Sequence, residues 1–418
     1  MSVRDEAIAG WRDRGVDDFL TEAARGIGAG TPTDAGWTPP APAGIAPVQM
    51  TGGIPDPDTL PGKALLAAME RVLSTAQPEA LRYGGTEGYE PLRALLAERW
   101  SRIDGLPQTA RNFTLTNGSA GAIDLICSTF IEPGDGVIVE APTFSGTLRT
   151  FRGHRARLLS APVDDEGVVV DAIEEILARE RAAGRRVKAI YVIPDYQNPT
   201  GTYLTLARRK QLVELANRYG ALIIEDDAYA DIAFSEATLP SLYALAEGHG
   251  VLRAGTFSKT VATGLRVGWI QGREDFVSAC VQMRFDMGAS PLLHRMLAEF
   301  VRSGEWEAHI ARMRRLYAEK CDALCRALLE ECEPYVRFTR PRGGFFVWLE
   351  CRDGIPAAAV QRAALEEGAL VVPGRVFFVD GGDDRYLRLA YSTATPEQLC
   401  EGARRLGRAF ARVAGGQR

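Results

Sequence analysis

No apolar run in this 418-residue chain approaches the roughly 18–20 residues that a membrane-spanning helix needs. Its first residues, Met1-Ser2-Val3-Arg4-Asp5-Glu6, are charged and lack the apolar stretch of a secretion signal. Neither sign of charge is in strong excess: 49 Lys and Arg stand against 54 Asp and Glu, a net −5. A general nucleic-acid binder needs a basic face, so this balance argues against one. Cysteine is sparse and odd in number, seven in all, with no Cys-x-x-Cys pair. Cys321, Cys325 and Cys332 fall close together with no histidine near them in sequence, which suits helical thiols and not a zinc site. An odd, scattered set fits a reducing compartment. Internal repeats and low-complexity tracts are missing too. These absences set an expectation: a cytoplasmic protein with no metal, no membrane and no nucleic-acid partner. A small anionic ligand is still allowed, since it needs only a local pocket.

What is present is ordinary for a globular protein, 46% hydrophobic and 25% charged, at a length suited to two or three domains. Residues 7–24 carry Ile8, Trp11, Phe19 and Leu20 at helical spacing, and 28–48 reads as an irregular arm rich in Gly, Pro, Ala and Thr. From about residue 60, short branched runs alternate with helical segments. The runs 136–140, 189–193, 221–225 and 267–270 have the length and continuity of strands buried on both faces. Helices are predicted over 172–183 and 207–218, the latter with Thr205 as its N-cap. Such alternation predicts a mostly parallel α/β sheet flanked by helices. After about 290 the pattern changes. A long helical tract over 292–331 precedes strand-like 344–350, a helix over 357–367, short 370–372, strand-like 386–390 and a last helix over 395–413. This predicts a smaller α+β domain. The expected division is an arm, 1–58, that joins the small domain; a large domain, 59–295; and the small domain, 296–418.

Lys259 is the most telling residue. Gly255-Thr256-Phe257-Ser258-Lys259 closes an apolar run, and Arg266 follows within Gly264-Leu265-Arg266-Val267-Gly268. An amine there can condense with an aldehyde, while hydroxyls, backbone N–H groups and a guanidinium hold a phosphate nearby. That pairing suggests pyridoxal 5'-phosphate (PLP). A lone Ser-Lys-Thr would more often be ordinary surface. Four further segments weigh against that. Thr116-Asn117-Gly118-Ser119-Ala120-Gly121-Ala122 leads into an apolar helix, whose first N–H groups and dipole favour an anion. Asn198, in Asp195-Tyr196-Gln197-Asn198-Pro199-Thr200-Gly201, can donate to a phenolic oxygen at a turn. Asp226, in Ile224-Glu225-Asp226-Asp227-Ala228-Tyr229, can keep a pyridine nitrogen protonated, with Tyr229 on the same ring oxygen and Asp227 in a solvated loop. Arg388, within the apolar Tyr386-Leu387-Arg388-Leu389-Ala390, calls for an anionic partner, either a substrate carboxylate or an internal salt bridge.

Taken in order and spacing, these segments resemble the class I/II aminotransferases, PLP enzymes of fold type I, over roughly residues 45–410. The subgroup that looks nearest holds 2-aminoadipate and kynurenine aminotransferases. Its signposts here are Gly52-Gly53-Ile54-Pro55-Asp56-Pro57, Tyr83-Gly84-Gly85-Thr86-Glu87-Gly88, Asn198-Pro199-Thr200-Gly201, Glu225-Asp226-Asp227-Ala228-Tyr229 and Ser258-Lys259. The resemblance implies a large domain with a sheet of the seven-stranded type. It implies that Lys259 bonds the cofactor and shuttles a proton, that Asp226 meets the ring nitrogen, and that Asn198 and Tyr229 meet the ring oxygen. Phe144 would stack on the ring. Ser119, the Ala120 amide, Ser258 and Arg266 would hold the phosphate. Tyr83 would reach the phosphate of a neighbouring subunit, which implies a homodimer with shared sites. Arg388, Asn198 and Gly53 would meet the substrate. Three departures stand out: Ala120 and Gly121 replace a frequent glutamine, Phe144 replaces a frequent tyrosine, and residues 1–48 do not match the segment that helps shape the side-chain pocket.

The expected reaction is ping-pong transamination between an L-amino acid and a 2-oxo acid. The same constellation also supports decarboxylation, elimination or oxidation of amino acids, because fold does not fix reaction. Aminotransferase-like domains also occur fused to winged-helix DNA-binding domains; the 48 or so residues ahead of the matching region are short for such a module. No second arginine stands out as a clamp for a side-chain carboxylate, so the expected substrate is neutral, aromatic or unusual.

Overall fold

The computed structural model describes residues 14–27, 44–235, 239–352 and 354–416. Ile8, Trp11 and most of the 28–48 arm lie outside them. Within the described part of 7–24 there is no continuous helix. A 3-10 turn, Val16–Asp18, is followed by a separate helix, Glu22–Ile27. The arm ends in strand β1 (Val48–Gln49).

The large sheet is built from β2 (Phe113–Thr116), β3 (Gly136–Ala141), β4 (Arg157–Asp164), β5 (Gly167–Val168), β6 (Val187–Val192), β7 (Leu222–Asp227), β8 (Val251–Thr256) and β9 (Gly268–Gln271). Their order is β2-β9-β8-β7-β6-β3-β4-β5. The contiguous set β8-β7-β6-β3-β4 is parallel, β9 runs antiparallel to both its neighbours, and two-residue β5 turns back on β4. The expected large α/β sheet is therefore present, as seven main strands and one short edge strand.

Continuous apolar runs were expected to bury both faces, and they do. Side chains alternate across a strand, so Ile138, Ile190 and Ile223 pack on one side with the helices Val170–Ala182 and Leu206–Tyr219. Val137, Val139, Tyr191 and Ile224 pack on the other with Ile123 and Ile126. Thr205 does stand at the N-cap, though its side chain makes no capping hydrogen bond. A third cluster, around Trp100, Phe257, Trp269, Phe300 and Trp306, lies under β2 and β9.

The expected tract 292–331 is two helices, Pro291–Arg302 and Glu305–Cys332, separated at Ser303–Gly304. Composition hid the break, because Leu, Ala, Arg and Glu are dense on both sides of it. Beyond them β10 (Val336–Arg337), β11 (Phe346–Cys351), β12 (Ala369–Leu370), β13 (Val372–Pro373) and β14 (Tyr386–Ala390) follow. The antiparallel order is β10-β11-β14-β13, while β12 pairs in parallel with β1. This is the smaller sheet, covered by the helices Ala357–Glu366 and Pro396–Gly415.

Candidate active site

Ligands of open α/β sheets sit outside the carboxyl ends of the strands. Here the ends of β2, β3, β6, β7 and β8 open onto one cavity of about 800 Å³. Its lining includes Gly53, Ser119, Ala120, Phe144, Asn198, Asp226, Tyr229, Ser258, Lys259 and Arg266. Sequence pattern and the family resemblance together named ten residues that the fold brings together. Two named residues lie elsewhere. Tyr83 is 83% exposed and outside this cavity. Arg388 is fully buried behind Asn198 and Thr51, which do line it.

Each side chain has a local reason for its place. After β2 the chain turns at Gly118, with φ +71°, into the helix Gly118–Phe130. Asn117 caps that helix without a side-chain hydrogen bond, so first-turn N–H groups are left to an anion. The Arg266 guanidinium lies over this start and donates to the Asn117 carbonyl at 3.3 Å. Glycine suits this left-handed turn, and a Cβ on residue 118 would stand 2.7 Å from Arg266 Nη2 and push the guanidinium aside. The Thr256 hydroxyl donates to Ser258 Oγ at 2.9 Å and accepts from the Ser258 N–H at 3.0 Å, which tightens the turn into Lys259. Ammonium, guanidinium, hydroxyls and helix N-terminus together can hold a phosphate.

Lys259 Nζ donates to the Gly53 carbonyl at 2.8 Å and stands 5.7 Å from the Tyr229 ring centre. A Cβ on Gly53 would lie 2.3 Å from Phe346, so the arm approaches this lysine only as glycine. Phe346 and Phe377 sandwich the Arg388 guanidinium at 4.4 and 4.7 Å. Arg388 Nη1 donates to Asn198 Oδ1 at 2.9 Å, and Nη2 to the Thr51 carbonyl at 2.5 Å. The arginine thus fixes the Asn198 amide with its oxygen turned away from the cavity's donors and toward Nη1.

Asp226 and Asp227 point to opposite faces of β7, as strand geometry requires. Asp227 is not solvated: it is buried and paired with Arg253 at 2.7 Å. Asp226 is buried at the cavity wall, and its Oδ1 has no hydrogen-bond partner among the described residues. Burial raises its pKa to about 6, opposed by the Tyr191 hydrogen bond and the Lys259 charge. A buried carboxylate oxygen without a donor, facing a cavity, fits the protonated nitrogen of a pyridinium ring. Phe144 supplies an aromatic face at the same wall, and the residues present fit PLP.

Sequence reasoning missed the residues that support this wall, of which Thr147 also lines the cavity. Tyr191, Thr147, Glu140 and Gln197 are all buried and hydrogen-bonded there. Tyr191 and Glu140 signalled themselves only as polar atoms inside apolar runs; Gln197 and Thr147 sit in polar turns that gave no pointer to these contacts.

The model of class I and II aminotransferases matches residues 50–406 of this sequence. The chain belongs to that family. It is 39% identical to the 2-aminoadipate transaminase of Thermus thermophilus over 369 residues, 87% of this chain and 90% of the relative. It is 34% identical to aromatic-amino-acid aminotransferase 1 of Thermococcus litoralis, across 86% of this chain and 87% of that one. The crystal structure of the Thermus thermophilus α-aminoadipate aminotransferase, complexed with N-(5'-phosphopyridoxyl)-L-leucine, overlays with a TM-score of 0.86 at 36% identity. That overlay covers 96% of this chain and all of the other. The aminotransferase described here is a PLP-dependent transaminase of fold type I, acting on amino acids and 2-oxo acids.

Proposed function

We propose that Lys259 is the cofactor-bonding amine and proton carrier, and that the enzyme exchanges amino groups by a ping-pong route on amino acids with a neutral, aromatic or unusual side chain. The carrying observation is the pairing of Lys259 Nζ with a buried, donor-seeking Asp226 Oδ1 in one cavity. Bound PLP supplies an aldehyde and an electron-withdrawing ring. The chain does the rest. Asp226 holds the ring nitrogen, while Asn198 and Tyr229 hold the ring oxygen. Phe144 orients the ring face. Ser119, the Ala120 amide, Ser258 and Arg266 anchor the phosphate. Arg388 and Asn198 orient the substrate carboxylate beside Gly53. Lys259 Nζ then takes the proton from the substrate Cα. Catalysis of this type needs a base near neutral pKa, and a cationic ring beside the amine favours its neutral form.

Several observations support a neutral side chain. Beside the arm the lining is Gln49, Thr51, Ile54, Thr150 and Thr393, and the lining cations among the described residues are Lys259 and Arg266. One solved relative holds a leucine adduct and a second relative is named for aromatic substrates. We also read the enzyme as a homodimer in which Tyr83 serves the neighbouring phosphate. Tyr83, Leu81, Met283 and Phe285 are exposed, and Gly288 packs so closely on the Gly85 carbonyl that the two segments adjoin. A cytoplasmic location agrees with seven unpaired cysteines and with no described helix able to cross a membrane. The division at 1–58, 59–295 and 296–418 belongs to the same reading, supported by the pairing of β1 with β12.

The test is a half-reaction screen. Single amino acids are mixed with the PLP enzyme while loss of its visible absorbance is followed. Neutral and aromatic amino acids should react fast; reaction with glutamate and 2-aminoadipate alone would overturn the substrate assignment. Lys259→Ala should lower kcat at least about 10²–10⁴-fold, and normal turnover in that variant would remove the lysine from this role.

A further inference from the structure

A carboxylate that must meet a ring nitrogen can turn about χ2, which has broad preferences. Something has to aim it. In this enzyme the aim comes from the neighbouring strand. The Tyr191 hydroxyl donates to Asp226 Oδ2 at 2.7 Å. A phenol has a single hydrogen to give, so at the 3.1 Å contact between Tyr191 and Thr147 Oγ1 the threonine is the donor. The chain of protons therefore runs one way, from Thr147 through Tyr191 to the carboxylate. Both residues are buried, and the Tyr191 ring is fixed edge-on to Phe151 at 5.5 Å.

We propose that Tyr191, held by Thr147, is a positioning residue that occupies Oδ2 of Asp226 and so aims Oδ1 at the cofactor's ring nitrogen. The inference rests on the reading of Asp226 as the ring-nitrogen partner. Two things make it more than burial of a tyrosine. Phenylalanine would fill the same space; the hydroxyl adds the link between Thr147 and Asp226. Thr147 also sits in the first turn of the helix Ser145–Gly153, whose N-cap is Phe144. One rigid turn thus sets both the ring-face contact and, through Tyr191, the contact at the ring edge. Burial and the Asp226 charge push the Tyr191 hydroxyl well above its ordinary value, so it stays a donor throughout the neutral range.

The test uses the full chain and two cofactors: PLP, and the analogue with C–H in place of the ring nitrogen. Tyr191→Phe should bind PLP about tenfold or more weakly, the size expected for a hydrogen bond to an ionised group. It should bind the analogue as the wild type does, because that ring has no N–H for Asp226 to meet. Thr147→Val should shift PLP affinity in the same direction by less, and Thr147→Ser should restore it. Equal losses for both cofactors would mean packing damage and overturn the proposal, as would wild-type PLP affinity in Tyr191→Phe. Should Tyr191→Phe fail to fold, Thr147→Val carries the same comparison. Asp226→Asn separates the two readings. If it binds both cofactors as the wild type does, the Asp226 assignment fails. If it loses PLP selectively while Tyr191→Phe does not, only the positioning role fails.

Discussion

Glu140→Gln should remove a stability penalty that grows with pH. Glu140 lies near the end of β3 and is 3% exposed. Its Oε2 accepts from the Ile193 N–H at 3.0 Å, from Gln197 Nε2 at 3.1 Å and from Thr143 Oγ1 at 3.5 Å. Burial outweighs those donors, Asp226 adds a like charge, and the pKa is pushed up to about 8 from 4.5. Folded protein therefore holds this proton where unfolded chain has released it. Stability from this group is fully present below pH 4.5 and is lost as pH rises through 8. The slope for one proton is at most about 1.4 kcal/mol per pH unit, so the whole window is of order 4–5 kcal/mol. Glutamine keeps an acceptor for the same donors and carries no charge at any pH. The stability difference between variant and wild type should be small at pH 5 and grow steadily in favour of the variant toward pH 8. Denaturant midpoints of the PLP-saturated proteins at matched pH measure it. Parallel pH profiles for the two would refute the reasoning.

Gly118→Ala forces a side chain into a left-handed backbone conformation and into the Arg266 guanidinium. The backbone term costs about 1–2 kcal/mol of fold stability, and displacing the guanidinium from the helix start should lower PLP affinity roughly tenfold; unchanged equilibrium binding would contradict the phosphate assignment. Arg388→Lys keeps the charge but loses the planar fork, which is stacked between Phe346 and Phe377. We expect kcat/KM for amino acids to drop about 10–100-fold, and an unaltered value would place the carboxylate elsewhere.

The parallel strands were legible because burial on both faces leaves a continuous branched run, as in β6 and β7. The motif residues were legible because strand ends and helix starts carry distinctive small, polar and charged types. Direction was not: the run that became β9 looks alike whether it lies parallel or antiparallel. The break at Ser303–Gly304 was hidden because the same helix-forming Arg, Leu, Ala and Glu residues are dense on both sides of it. Tyr191 does not stand out in the run 189–193, expected to be a buried strand; only its contact with a residue 35 positions away gives it a further task. Asp227 looked solvated because its partner, Arg253, comes from the adjacent strand.

By itself the sequence determined the strand-and-helix alternation and the cofactor class, which are written in local periodicity and residue type, and its resemblance to the aminotransferases pointed to the residues gathered at the cavity. Tertiary structure alone decided what each of those residues faces. It set Asp226 toward the cavity and Asp227 away from it, put Arg388 one layer behind Asn198, and left Tyr83 on the outer surface. Those choices depend on strand register and on packing between segments far apart in the chain, and no local pattern carries either.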